Sequence, residues 1–250
     1  MAIDIRGLDG KVVVITGGGR GTGRALALVL ADAGCRVVLF GRGETALAEV
    51  SATIEKRGGF RPVTHLCDLA KAADVESACE AVRNEFPTVD ILINNAAAWL
   101  PESLEQATVA MIVDAINSAV TGMVLTTKFL MPTLKASDGA DIVTLVSTAG
   151  LPAGATGELG SEPFIAAKHG QAGFSDSLRH SLAADGIRVI ALYPPDFAGV
   201  QPDSADWERT PGRRDGRDMM TTRDVVEAIL FALTRPRVMT VSGIVLANNG

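Results

Sequence analysis

The run VVVITGGGRGTGRALALVLADAG, residues 12–34, holds the most specific chemical signal in the chain. An apolar, β-branched stretch runs into glycines and then directly into a segment of helical period. Gly17, Gly19, Gly21 and Gly23, with Arg20 and Thr22 between them, allow a tight turn and a close backbone approach to a pyrophosphate. The helix start that follows offers unpaired N–H groups and a partial positive charge to phosphate oxygens. A dinucleotide site is expected there. After the next apolar run, CRVVLF, the chain reads Gly41-Arg42-Gly43-Glu44. A carboxylate at this point would accept hydrogen bonds from an adenosine ribose, and Gly41 supplies none. Arg42 has the planar fork that grips a 2′-phosphate, and Arg20 can reach the same group. NADP(H) is therefore expected in preference to NAD(H), with Glu44 as the residue that keeps NAD(H) open.

These groups need a scaffold, and the rest of the chain describes one. Short β-branched runs (KVVVIT, CRVVLF, RPVTHLC, VDILIN, ADIVTLVS, GIRVIALYP and VMTVSGIVLA) alternate with longer segments of helical period. The runs are continuously apolar, as burial on both faces demands, so the expectation is an α/β fold: one doubly wound parallel sheet of the Rossmann type, helices on both faces, in a single domain over residues 1–250. Ligands in such folds sit beyond the carboxyl ends of the strands. The polar stretch within residues 198–220, with Pro202, Pro211, Gly212 and Gly216, reads as a substrate flap or an inert surface loop.

Taken together, these motifs resemble the short-chain dehydrogenase/reductase family over nearly the whole chain. Thr16-Gly17 with Gly21 and Gly23 is similar to that family's glycine signature, and Cys67-Asp68-Leu69 stands where an aspartate commonly contacts adenine. Asn94-Asn95-Ala96-Ala97 resembles its Asn-Asn-Ala-Gly motif, and Pro194 stands where proline borders the nicotinamide, although Pro195 replaces the glycine that usually follows. The resemblance implies a catalytic set of Asn, Ser, Tyr and Lys. Ser147 matches the serine that hydrogen-bonds a substrate carbonyl, and Lys168 the lysine that holds the nicotinamide ribose. Phe164 occupies the tyrosine position, one helical turn before Lys168, and has no proton to give. Alignment through Gly122 and Pro132 puts Ala119 where the asparagine belongs, leaving Asn117 two residues away unless the helix bulges. The segment between Ser147 and Phe164 is longer than the family's usual spacing and adds Glu158 and Glu162, read as solvated charges. Phe164 reads as natural divergence in preference to an engineered replacement of tyrosine, the alternative, which would account for none of the other departures.

The resemblance implies an NADP(H)-dependent oxidoreductase with an atypical active site, acting on an apolar small molecule. Trp99, Leu100, Leu151, Phe164, Phe197 and Trp207 are candidate pocket or core residues. A non-redox enzyme in the same pocket, or a cofactor-binding protein without catalysis, remains the alternative. Composition narrows the partners. The net charge of -6, with basic residues scattered, argues against nucleic acid or an anionic membrane. Cys35, Cys67 and Cys79 lack the paired spacing of a metal or redox site and read as reduced core residues. MAIDIRGLDG lacks the apolar run of a signal peptide, no later stretch reads as a membrane span, and a cytoplasmic location is expected. The helical segments around 105–131 and 161–184 correspond to the elements through which the family commonly associates, so a homotetramer or homodimer is implied.

Overall fold

The computed structural model describes residues 7–152, 160–210 and 219–248. Seven parallel strands form one sheet in the order β3-β2-β1-β4-β5-β6-β7. They are β1 (Val12–Thr16), β2 (Arg36–Gly41), β3 (Val63–Leu66), β4 (Ile91–Asn94), β5 (Asp141–Leu145), β6 (Arg188–Tyr193) and β7 (Gly243–Val245). The helices are α1 (Gly21–Asp32), α2 (Glu44–Lys56), α3 (Ala72–Glu85), α4 (Val109–Ile116), α5 (Gly122–Ala136), α6 (Glu162–Leu182), α7 (Ala205–Arg209) and α8 (Thr222–Leu233). The chain steps outward from β1 to β3 and then returns to place β4 on the other side of β1. That reversal opens a crevice at the carboxyl ends of β1 and β4.

The apolar strands are explained by two separate cores. Val13 and Ile15 of β1 face one side with Leu26, Leu28 and Leu30 of α1 and Val226, Ile229 and Leu230 of α8. Val12 and Val14 face the other with Phe40, Val82 of α3, and Leu130 and Leu134 of α5. Successive residues of a strand point to opposite faces, so a strand covered twice must be apolar at every position. The edge strands escape this rule: β3 and β7 alternate or expose their residues. The run VMTVSGIVLA, read as a full strand, is strand over Gly243–Val245 alone, because it lies at the sheet edge and pairs only with β6.

The helical stretch expected around 105–131 is a continuous run of α4, a π turn (Asn117–Thr121) and α5. At Val109–Ala136 it has the length and mean hydropathy, 1.6, of a membrane span, which corrects the reading that no stretch reaches that threshold. Here it lies along the sheet, with α5 packed against α3 and α4 against α6. A core helix and a membrane span share that composition, and a third of the apolar window, 33%, is buried within the fold. All three cysteines are free and buried, and burial pushes each thiol up to about 12.

Candidate functional site

The crevice begins with Thr16 at the end of β1. Its hydroxyl accepts hydrogen bonds from the Asn95 and Ala96 backbone N–H groups at 3.0 and 3.1 Å, and the Asn95 side chain donates to the Thr16 carbonyl at 2.9 Å. These bonds tie β1 to β4 and spend the Asn95 side chain on structure. Gly17 has φ +69, and a Cβ there would meet Ala96 Cβ and Asn95 Nδ2 at 3.0 Å. At Gly23 a Cβ would sit 2.2 Å from the Gly17 carbonyl oxygen, so glycine is what lets α1 start this close to β1. Gly21, at φ +53, meets nothing within 4 Å and opens toward the crevice.

A cavity of about 430 Å³ fills this crevice. Gly17, Gly19, Arg20 and Gly21 form one wall, Gly41 and Arg42 a second, and Asp68, Leu69, Asn95 and Ala96 the floor and far side. The structure thus assembles these ten residues, all singled out in the sequence, around one cavity. Arg42 keeps 57% of its side chain exposed, with its nearest carboxylate, Asp114, at 4.0 Å. Glu44 lines a different hollow, with Arg61 and Thr64. The residues therefore fit a phosphorylated dinucleotide: a glycine cradle without Cβ atoms, a helix start and two guanidiniums. Asp68 accepts from Ala70 N–H at 3.2 Å and lies 3.7 Å from Lys71, which orients its carboxylate beside the cavity. Thr22, Gly23, Ser147, Phe164, Lys168 and Pro194 do not line this cavity.

Four of those residues gather at the carboxyl ends of β5 and β6. Ser147 follows β5 and is the one non-glycine residue with positive φ among the described residues, at φ 135 and ψ 157. Its Oγ accepts from Ala149 N–H at 3.2 Å, which leaves its own O–H free to donate. Thr148 N–H donates to the Pro194 carbonyl at 3.0 Å, joining this turn to the end of β6. Lys168, 6% exposed, donates from Nζ to the Leu145 carbonyl at 3.2 Å and to Gln171 Oε1 at 2.9 Å. Burial, with no carboxylate among the described residues to offset it, lowers its pKa to about 7. The Phe164 ring centre lies 5.5 Å from that nitrogen and packs edge-on against Trp99, 4.6 Å between ring centres. Trp99 is 60% exposed, so the aromatic pair forms an open apolar wall.

Other expectations were redistributed by packing. A π turn does occur at Asn117–Thr121, but Asn117 Oδ1 accepts from Thr121 Oγ1 at 3.2 Å on its own helix, so the bulge does not restore the missing asparagine. Ala119 sits buried in the turn. Leu100 and Trp207 are buried, Trp207 in the core beneath α1 and α8, and neither lines the cavity. Glu162 begins α6 and is exposed, as expected of a solvated charge, and it also accepts from Leu104 N–H at 3.1 Å. Glu158 and residues 211–218 of the expected flap lie outside the described residues. The described part of that segment is docked: Arg24 of α1 donates to both oxygens of Asp203 at 2.9 and 2.7 Å and to Gln201 at 3.0 Å. Gln171 was not recognised in the sequence. The signal that would have found it is an amide within the run Phe164, Lys168, Gln171 and Ser175, spaced one helical turn apart and all buried on one face of α6.

The sequence model described as short chain dehydrogenase matches residues 11–205. The chain is 32% identical over 237 residues to sulfoacetaldehyde reductase 2 of Chromohalobacter salexigens, covering 90% of this chain and 89% of the relative. It is 27% identical over 229 residues to an uncharacterized oxidoreductase of Staphylococcus saprophyticus, covering 92% and 93%. A short chain dehydrogenase from Burkholderia cenocepacia, solved in complex with NADP, superposes with a TM-score of 0.81 at 26% identity, covering 97% of this chain and 98% of that one.

Proposed function

Because the chain belongs to the short-chain dehydrogenase family, we propose that it is an NADP(H)-dependent oxidoreductase with an atypical proton-handling site, acting on an apolar small molecule. The observation that carries the cofactor preference is the pair Arg20 and Arg42 at the cavity wall beside Gly41, with Glu44 in a separate hollow. The NADP complex of the similar Burkholderia enzyme supports the same reading.

When bound, NADP(H) supplies or takes up a hydride. The chain's own residues divide the remaining work. The glycine loop and the start of α1 hold phosphate, and Asp68 and Leu69 flank the far end of the cavity. Lys168, with two of its three ammonium hydrogens committed, has one left for a ribose hydroxyl. Ser147 can donate its free O–H to a substrate oxygen, while Phe164 and Trp99 give the substrate an apolar face and no acid. A missing general acid typically costs about 10² to 10⁴ in rate, so reduction of simple carbonyls is slow and the natural substrate is one whose proton comes from Ser147, solvent or itself. Val109 and Val113 of α4 are exposed and apolar, which supports self-association as a homotetramer or homodimer; a cytoplasmic location is part of the same proposal and rests on the family match alone.

Fluorescence titration with NADPH and NADH tests the cofactor assignment. NADPH binds more tightly, and Arg42→Ala removes about tenfold of that preference, a magnitude held down by the arginine's exposure. Equal affinities in the unaltered protein would overturn the assignment.

A further inference from the structure

One residue beside the proposed nicotinamide end, Gln171, lies outside the glycine, Asn-Asn-Ala and Ser/Phe/Lys motifs. Gln171 is fully buried, and both ends of its amide are used: Oε1 accepts from Lys168 Nζ at 2.9 Å, and Nε2 donates to the Ala119 carbonyl at 3.0 Å. The orientation is unambiguous in chemical terms. An ammonium can only donate and a carbonyl can only accept, so the amide oxygen must face Lys168 and the nitrogen must face Ala119. The bridge joins α6 to a residue 52 positions earlier, inside the π turn, where the widened ladder disturbs the regular pairing of carbonyls. Ala119 brings no polar side chain to that point, and Gln171 reaches its backbone instead.

We propose that Gln171 is a positioning residue, which holds the Lys168 ammonium at the carboxyl end of β5 and governs how readily it keeps its proton. This inference rests on the reading that Lys168 faces the cofactor. The geometry allows few other influences. Nζ has the Leu145 carbonyl from β5, the Gln171 oxygen and the Phe164 ring face around it, all neutral. Of the charged groups on the neighbouring elements, Asp141, Asp114, Glu102, Glu162, His169 and Asp176, none among the described residues offsets the burial that lowers its pKa. With no carboxylate partner among the described residues, the Gln171 amide and the Leu145 carbonyl carry the ammonium's solvation, and the Gln171 bond is the shorter of the two. Loss of that amide removes a hydrogen bond to a charged group, and its conversion to a carboxylate adds a counter-charge at the same distance.

The test compares the wild type with Gln171→Leu and Gln171→Glu in two measurements across pH. The first is the urea midpoint of the cofactor-free protein, which reads the Lys168 titration without any ligand. The second is NADPH affinity by fluorescence. Gln171→Leu is expected to move both pH midpoints down by about one to two units and to weaken NADPH about ten- to hundredfold at neutral pH. Gln171→Glu, nearly the same size, is expected to move both midpoints up. If neither variant displaces the titration of the cofactor-free protein, Gln171 is packing only and the proposal falls. If that titration moves but NADPH does not bind the wild type at any pH, the cofactor reading falls and the hold of Gln171 on Lys168 stands.

Discussion

Replacing Lys168 by methionine should make the cofactor-free protein more stable at neutral pH, and the gain should shrink as pH rises. The free side chain has a pKa of 10.5 and the folded one about 7, so between these values the unfolded chain holds a proton that the folded chain does not. Stability therefore rises with pH across that window, and the full penalty of burying the ammonium applies below it. At about 1.4 kcal/mol per pH unit, that gap sets an upper bound of about 5 kcal/mol. Methionine keeps the aliphatic stem but leaves the Gln171 oxygen without its donor, which offsets about 1–3 kcal/mol. The net gain expected near neutral pH is about 2–4 kcal/mol, falling by about 2 kcal/mol between about pH 7 and about pH 8.5. The buried thiols of Cys35, Cys67 and Cys79, pushed up to about 12, act in the opposite sense at higher pH, because only the unfolded thiols ionise there. They are common to both proteins and cancel in the difference. Urea unfolding in reducing buffer at several pH values measures it. A stability difference that does not change with pH would refute the assignment of a buried, uncompensated lysine.

Two further perturbations address the neighbouring groups. Phe164→Tyr should raise the reduction rate of simple carbonyl substrates, and Phe164→Tyr with Ala119→Asn should exceed the product of the single effects, since a tyrosine acid and its connection to solvent act as one unit. Steady-state kinetics of the four proteins decides this; a fast wild type slowed by Phe164→Tyr would assign the ring to a different reaction. Ser147 occupies a backbone region at φ 135 that favours glycine, so Ser147→Gly should be more stable than Ser147→Ala by about 1–2 kcal/mol although both lose the hydroxyl. Equal thermal midpoints would show that the backbone there is unstrained.

The sequence by itself determined the parts that are local. A strand, four spaced glycines and a helix start are contiguous, and their backbone requirements are met by residue type alone, so the phosphate cradle at Gly17 to Gly23 could be read directly. The continuous apolar runs likewise specified a sheet covered on both faces, because a strand in that position has no side free for polar residues. The edge strand β7 is shorter than its apolar run, since such a run does not say how many of its residues find a partner. Tertiary structure alone decided which groups meet. Glu44 and Arg42 are two residues apart, yet one lines a separate hollow and the other the cavity, because α2 begins between them and turns them to different surfaces. Lys168, Gln171 and Ala119 become one hydrogen-bonded unit only when α6 packs against a π turn more than fifty residues earlier, and Arg24 meets Asp203 across 179 positions. Periodicity reports which face of a helix is buried; what that face buries against depends on the folded path of the rest of the chain.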